Sequence, residues 1–92
     1  MLGVAFTSQF KKDMKRKRKQ GAELAKIDEV ITMLRSGEPL PERNRDHALS
    51  GTYHGHRECH IEPDWLLIYR IDSNLLVLTA VRTGSHSELL GI

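Results

Sequence analysis

Apolar residues recur at helical spacing over the first 35 positions and at strand spacing after residue 49. Val4-Ala5-Phe6 reads as a short first strand. Thr7 or Ser8 follows as a helix cap, its side-chain oxygen accepting from an orphan backbone N–H. Phe6, Phe10 and Met14 repeat every four residues and predict one buried stripe, with lysines and arginines covering the rest of that helix. Gly21 breaks the pattern. A second helix is predicted over 22–35, where Leu24, Ile27, Ile31 and Leu34 keep a 3-4-3 spacing and Val30 and Met33 widen the apolar face. Ser36-Gly37 ends it, the glycine suiting a left-handed C-terminal position. Two helices joined by a short turn suggest an antiparallel helical hairpin.

Glu38-Pro39-Leu40-Pro41-Glu42 is a stiff, non-helical connection. Beyond it, 56–61 reads as a strand, Glu62-Pro63-Asp64 as a turn, and 65–71 as a strand rich in β-formers. Asp72-Ser73-Asn74 is a hairpin turn, and the apolar run 75–81 is predicted as the central strand. Residues 85–90 form a last helical turn capped by Ser85 or Ser87. The reading is a single α+β domain over 1–92. A short N-terminal strand and helical hairpin pack on a three- to four-stranded antiparallel sheet, one face of which is open to a ligand.

Composition narrows this. Ninety-two residues suffice for one modest core. The opening apolar stretch is too short for a secretory signal and no segment reaches the roughly 20 apolar residues of a membrane span, so no membrane role is expected. Cys59 is the only cysteine, which excludes an internal disulfide and fits a cytoplasmic protein. The net charge is +2, but it is unevenly spread: residues 1–35 hold nine Lys/Arg against four Asp/Glu, and residues 36–92 hold five against eight. Seven of the nine residues from 11 to 19 are cationic: Lys11, Lys12, Lys15, Arg16, Lys17, Arg18 and Lys19. All five histidines lie between 47 and 86. A permanently cationic region beside groups that titrate near neutrality suits polyanion binding coupled to proton transfer.

Four ionisable residues stand where a meander brings chain together: His47, His60, Asp64 and His86. Metal-free RNA cleavage needs a base for the 2′-OH, an acid for the leaving 5′-oxygen, and cations at the phosphorane. Histidine serves both proton transfers, and a carboxylate orients an imidazole. Arg82 and Arg57 offer planar forks for phosphate, while Trp65 and Tyr53 offer stacking surfaces for bases. The plainer alternatives are Asp64 as a turn former, Trp65 as core, and Arg82 paired with Glu58 or Glu62. His54, His56 and His60, with Cys59 and Glu58 nearby, raise a metal reading, but no standard zinc spacing is present, so neither metal nor cofactor is expected.

Three segments carry a resemblance: Asp46-His47-Ala48-Leu49-Ser50-Gly51, then 55–69 with its core His60-Ile61-Glu62-Pro63-Asp64-Trp65, then Arg82-Thr83-Gly84-Ser85-His86. In order and spacing they resemble the YafQ-type toxins of the RelE/ParE superfamily, along essentially the whole chain. The resemblance implies a microbial-ribonuclease-like fold and cleavage of messenger RNA in the ribosome's decoding site. It also implies neutralisation by a cognate antitoxin and joint repression of their promoter DNA. Carried over, it places catalysis on His47, His60, Asp64 and His86, and substrate contact on Trp65 and Arg82. Leu90 stands where a site phenylalanine is found, and Cys59 where alanine is common. The expected roles are His47 as base aided by Asp64, His86 as acid, and His60 with Arg82 at the phosphate. The seven basic residues of 11–19 would dock on ribosomal RNA. The rival class is a ParE-like toxin that binds a topoisomerase and needs no histidine cluster.

Overall fold

The computed structural model describes residues 1–91. Its elements are β1 (Gly3–Phe6), α1 (Ser8–Lys19), α2 (Ala25–Ser36), β2 (His47–Ala48), β3 (Arg57–Glu62), β4 (Trp65–Asp72), β5 (Val77–Gly84) and α3 (His86–Leu90), with short 3-10 turns at Glu42–Asn44 and Gly51–Tyr53. The strands form one five-stranded sheet in the order β1-β5-β4-β3-β2. β1 runs parallel to β5, and the remaining pairs are antiparallel. The sheet is therefore mixed and has one strand more than expected. Its centre is β4 and not the more apolar β5.

Thr7 caps α1 by accepting from Phe10 N–H. α2 begins three residues later than its periodicity suggests and closes on Gly37 at φ 80°. The glycine supplies this left-handed turn without the Cβ penalty. Ile27, Val30, Ile31 and Leu34 of α2 and Phe10 of α1 bury against Cys59, Trp65, Leu67, Tyr69, Leu78 and Ala80 of the sheet. Phe6 departs from the expected stripe: it is 44% exposed and stacks on Phe10 from outside. Leu75 and Leu76 fall in the β4–β5 connection and are exposed, so β5 starts two residues later than predicted. No helix among the described residues is long and apolar enough to cross a membrane.

Two β-bulges decide what the sheet presents. Across β4–β5, Tyr69 pairs with Ala80 but Ile68 pairs with Arg82, leaving Val81 as the extra residue. Strand side chains alternate between faces, so an extra residue inverts the alternation beyond it. Leu78 and Ala80 point to the helices. After Val81, Thr83 takes that side and Arg82 turns to the opposite face. Ile61 is the corresponding extra residue on β3, where His60 pairs with Leu66 and Glu62 with Trp65.

Candidate functional site

The face opposite the helices carries two cross-strand rows. One runs His47, Glu58, Ile68 and Arg82; the next runs His60, Leu66 and Gly84. Residues opposite one another in register stand on the same face about 5 Å apart. Leu66 and Ile68 are fully buried and form an apolar floor. Glu58, 6% exposed, sits between two imidazoles, with Oε1 3.6 Å from His47 Nε2 and 4.0 Å from His60 Nε2. His47 Nδ1 lies 2.6 Å from the Arg45 carbonyl. A carbonyl oxygen only accepts, so Nδ1 carries the proton and Nε2 holds the lone pair of the neutral ring.

His86 is the first residue of α3. Ser85 caps this helix with a capping box, exchanging hydrogen bonds with Glu88. Asp64, in the β3–β4 turn, accepts from His86 backbone N–H at 2.9 Å and lies 2.6 Å from His86 Nδ1. The backbone N–H, then the imidazole, hold the Asp64 carboxyl below its ordinary value. Ionised, Asp64 only accepts, which leaves His86 Nε2 as the ring atom available to a substrate. The His86 ring meets His60 edge-on, with centroids 5.6 Å apart.

The four residues predicted to be catalytic thus come together with Glu58, in the spatial order His47, Glu58, His60, His86, Asp64. The pairing is different from the expected one. Asp64 serves His86, and the carboxylate beside His47 is Glu58. The alternation of Glu58 with His60 along β3 is the signal that places both on one face.

Other expectations change further. Trp65 is 2% exposed and donates from Nε1 to Thr83 Oγ1 at 2.8 Å, so it is a core residue with no face open to a base. Arg82 pairs with neither Glu58 nor Glu62. Its Nε and Nη2 donate to Asp13 at 2.8 and 3.2 Å. Asp13, 1% exposed on α1, also accepts from Thr83 N–H and Gln9. Burial pushes its carboxyl up, but the bonds from Arg82, Gln9 and Thr83 outweigh this and hold it below its ordinary value.

The basic run divides in two. Lys11, Lys12, Lys15, Arg18 and Lys19 are exposed. Lys17 is buried, its ammonium 5.3 Å over the Trp65 ring and 4.0 Å from Glu88, and Arg16 reaches both Asp13 and Glu88. Lys17 is therefore an internal tie, whereas Arg16, its side chain 41% exposed, is held at the surface by these two carboxylates. Leu90 is 43% exposed on α3. Arg57 is bound to Asp46, which also accepts from Tyr69 at 2.6 Å. Tyr53 is half-buried, edge-on to His56. Burial pushes the Cys59 thiol up to about 12, which makes it an inert packing group. No group of three or more His, Cys, Asp or Glu among the described residues is arranged to hold a metal ion. Among the described residues, no ion pair or ring contact joins His54 or His56 to the cluster. A cleft of about 450 Å³ adjoins His60, lined by Arg43, Asn44, Arg45, Ile61, Glu62 and Pro63. Its two arginines, Arg43 and Arg45, carry no motif or spacing that marks them in the sequence.

Comparison with known proteins matches residues 2–91 to the family model of the bacterial toxin of type II toxin-antitoxin systems, YafQ. The chain is similar to the mRNA interferase toxin YafQ of Escherichia coli K12, 37% identical over 89 residues, which cover 96% of this chain and 95% of that protein. Its fold is similar to that of a metal-bound toxin from Helicobacter pylori, with a TM-score of 0.93 and 40% identity over 98% of this chain and all of the other. It is also similar to YafQ in the E. coli DinJ–YafQ complex, with a TM-score of 0.89 and 35% identity over 99% of this chain and all of that one.

Proposed function

The chain belongs to the YafQ family of bacterial type II toxins, and from that premise we propose that it is an endoribonuclease that cleaves messenger RNA in the decoding site of the ribosome. The observation that carries this reading is the spatial run of His47, Glu58, His60, His86 and Asp64, with Arg82 in the same row as His47. Two imidazoles whose Nδ1 atoms are engaged, with Nε2 of His47 beside Glu58 and Nε2 of His86 left to a substrate, supply the base and acid of a 2′-OH attack.

His47 takes the 2′-OH proton at Nε2, with its Nδ1–H fixed on the Arg45 carbonyl. Glu58 stabilises the cation that forms. His86, oriented by Asp64, protonates the leaving 5′-oxygen from Nε2. His60 stands between them, beside the phosphate. Arg82 meets the phosphate with the guanidinium edge that Asp13 does not occupy. Cleavage leaves a 2′,3′-cyclic phosphate and a 5′-hydroxyl. The exposed cations of α1 dock on ribosomal RNA, with affinity that falls as salt rises.

E. coli YafQ occurs in a complex with DinJ. By the same relationship, this protein works in the cytoplasm with a cognate antitoxin, and the pair represses its shared promoter DNA. Expression of the wild type is expected to arrest growth. His86→Ala and His47→Ala should abolish arrest while antitoxin binding persists. Arrest retained in both variants would overturn the nuclease reading and favour a toxin that acts by binding a topoisomerase.

A further inference from the structure

With Trp65 sealed in the core, the catalytic face has no aromatic platform from that position, and a base next to the scissile phosphate must be held elsewhere. The cleft beside His60 has the required features. Its lining includes the apolar side chains of Ile61, which is partly buried against the core, and Pro63, and its volume of about 450 Å³ is in the range of small-ligand pockets. His60 lines the cleft and also belongs to the catalytic cluster, so the cleft adjoins that cluster.

The charge of the cleft is one-sided. Its carboxylate, Glu62, is bound to Lys26 at 2.6 Å. Arg43 and Arg45 are exposed and form no ion pair among the described residues. Their backbone is nevertheless fixed. Asn44, 6% exposed, donates from Nδ2 to the His60 carbonyl at 2.7 Å, tying the Glu42–Asn44 turn to β3. Arg45 adopts φ 46°, ψ 46°, a left-handed conformation that side-chain-bearing residues rarely take. In this conformation its carbonyl meets His47 Nδ1. A single strained residue thus orients the proposed base and stands at the rim of the cleft.

We propose that this cleft is a nucleotide subsite for single-stranded RNA, holding the base that adjoins the scissile phosphate on Ile61 and Pro63 and the flanking phosphates on Arg43 and Arg45. The assignment rests on the nuclease reading and specifies where its substrate lies. Arginine suits the position, since its guanidinium both stacks on a base and bridges phosphate oxygens.

The test is binding of a five-residue 2′-O-methyl oligoribonucleotide, which lacks the attacking hydroxyl, by fluorescence anisotropy across salt concentrations and by amide chemical-shift mapping. The variants are Arg43→Ala and Arg45→Asn, asparagine being tolerant of left-handed backbone. Each is expected to weaken binding roughly three- to tenfold and to lower the salt slope by about 0.7, as for one lost single-strand phosphate contact. Arg70→Ala, which removes an exposed charge from β4, should bind as the wild type does. Shifts should centre on 43–45 and 60–63. Wild-type affinity in both cleft variants, shifts confined to α1, or no binding by the wild type would overturn the subsite. Cleavage of ribosome-bound messenger RNA by the wild type is scored separately. Cleavage intact with arginine-independent binding removes the subsite alone. Arginine-dependent binding without cleavage keeps the subsite and removes the nuclease reading.

Discussion

Asp13 on α1 holds Arg82 on β5 through two hydrogen bonds, at 2.8 and 3.2 Å, across 69 residues of chain. The carboxylate is buried and the guanidinium partly so, with side chains 1% and 22% exposed. Removing the carboxylate therefore leaves a half-buried cation without its partner. Asp13→Ala is expected to cost about 2 kcal/mol or more, below the 3–5 of a fully buried pair because Arg82 retains some solvent. Asp13→Asn, which keeps the shape, should cost less and still impair cleavage. If Asp13 acts on catalysis only through Arg82, Asp13→Asn adds nothing to the activity loss of Arg82→Ala in a double-mutant cycle. Independent, additive losses would contradict this.

The same carboxylate sets a dependence on acid. The Asp13 carboxyl is held below its ordinary value in the fold, so its contribution to stability is complete above the unfolded value near 3.8 and is lost as pH falls through the lower folded value. The difference in Tm between wild type and Asp13→Asn should be constant from neutrality down to about pH 5 and shrink as pH falls below about 4. Thermal melts across that range measure it. A gap that widened in acid would be the wrong sign.

Asp64 holds His86 through both its backbone N–H and its ring Nδ1. Asp64→Asn keeps a side-chain oxygen able to accept the His86 backbone N–H, but removes the charge beside the ring. Cleavage is expected to fall about 10- to 100-fold, less than the roughly 10²- to 10⁴-fold of a lost general acid because His86 itself remains, with a change in the pH profile of kcat. Tm should change little, because Asp64 is exposed. An unaltered pH profile would assign the role of orienting His86 elsewhere.

The division of the basic run is testable by sides. Lys11→Glu with Lys15→Glu and Lys19→Glu should weaken ribosome binding and flatten its salt dependence, at little cost in Tm. Lys17→Glu should instead lower Tm, because it places a carboxylate over the Trp65 ring and beside Glu88. The opposite assignment of effects would contradict the burial pattern.

Trp65→Phe is expected to act on the fold. It removes the Nε1–H donor to Thr83 in a dry environment, a loss of about 1–2 kcal/mol. In a domain of this size that lowers Tm by roughly 4–15 °C. Affinity for RNA below the melting range should be unchanged. A large affinity loss at unchanged Tm would restore the stacking role.

The helices and long strands are legible in the chain because their apolar positions repeat locally: Ile27, Ile31 and Leu34 share one face, and Thr7, Gly37 and Ser85 mark ends by capping chemistry. The pairing of β1 with β5 is not legible, since it joins chain ends about seventy residues apart and leaves no mark in either segment. Nor is the bulge at Val81. One extra residue inverts the side-chain alternation, and this carries Arg82 to the open face and Thr83 to the core. Plain alternation from Leu78 assigns both to the wrong side.

The candidate site is legible as a set of residues and not as a set of partners. His47, His60, Asp64 and His86 are visible as titratable groups near strand ends. Which carboxylate serves which imidazole depends on register: His47 faces Glu58 across β2–β3, and the Pro63-Asp64 turn delivers Asp64 to α3. The inward turn of Lys17 is hidden by composition, which counts a lysine over a buried indole the same as one in solvent.

His86 as the proton donor to the leaving oxygen is the central step of the proposed cleavage. The decisive measurement maps the ends of messenger RNA cut on the ribosome under single-turnover conditions, with the wild type and His86→Ala compared at matched folding and ribosome occupancy. The wild type should leave 2′,3′-cyclic phosphate and 5′-hydroxyl ends, and the variant should cut at a rate at least about 100-fold lower. Ends bearing a 5′-phosphate, or cleavage by His86→Ala at the wild-type rate, would contradict that step.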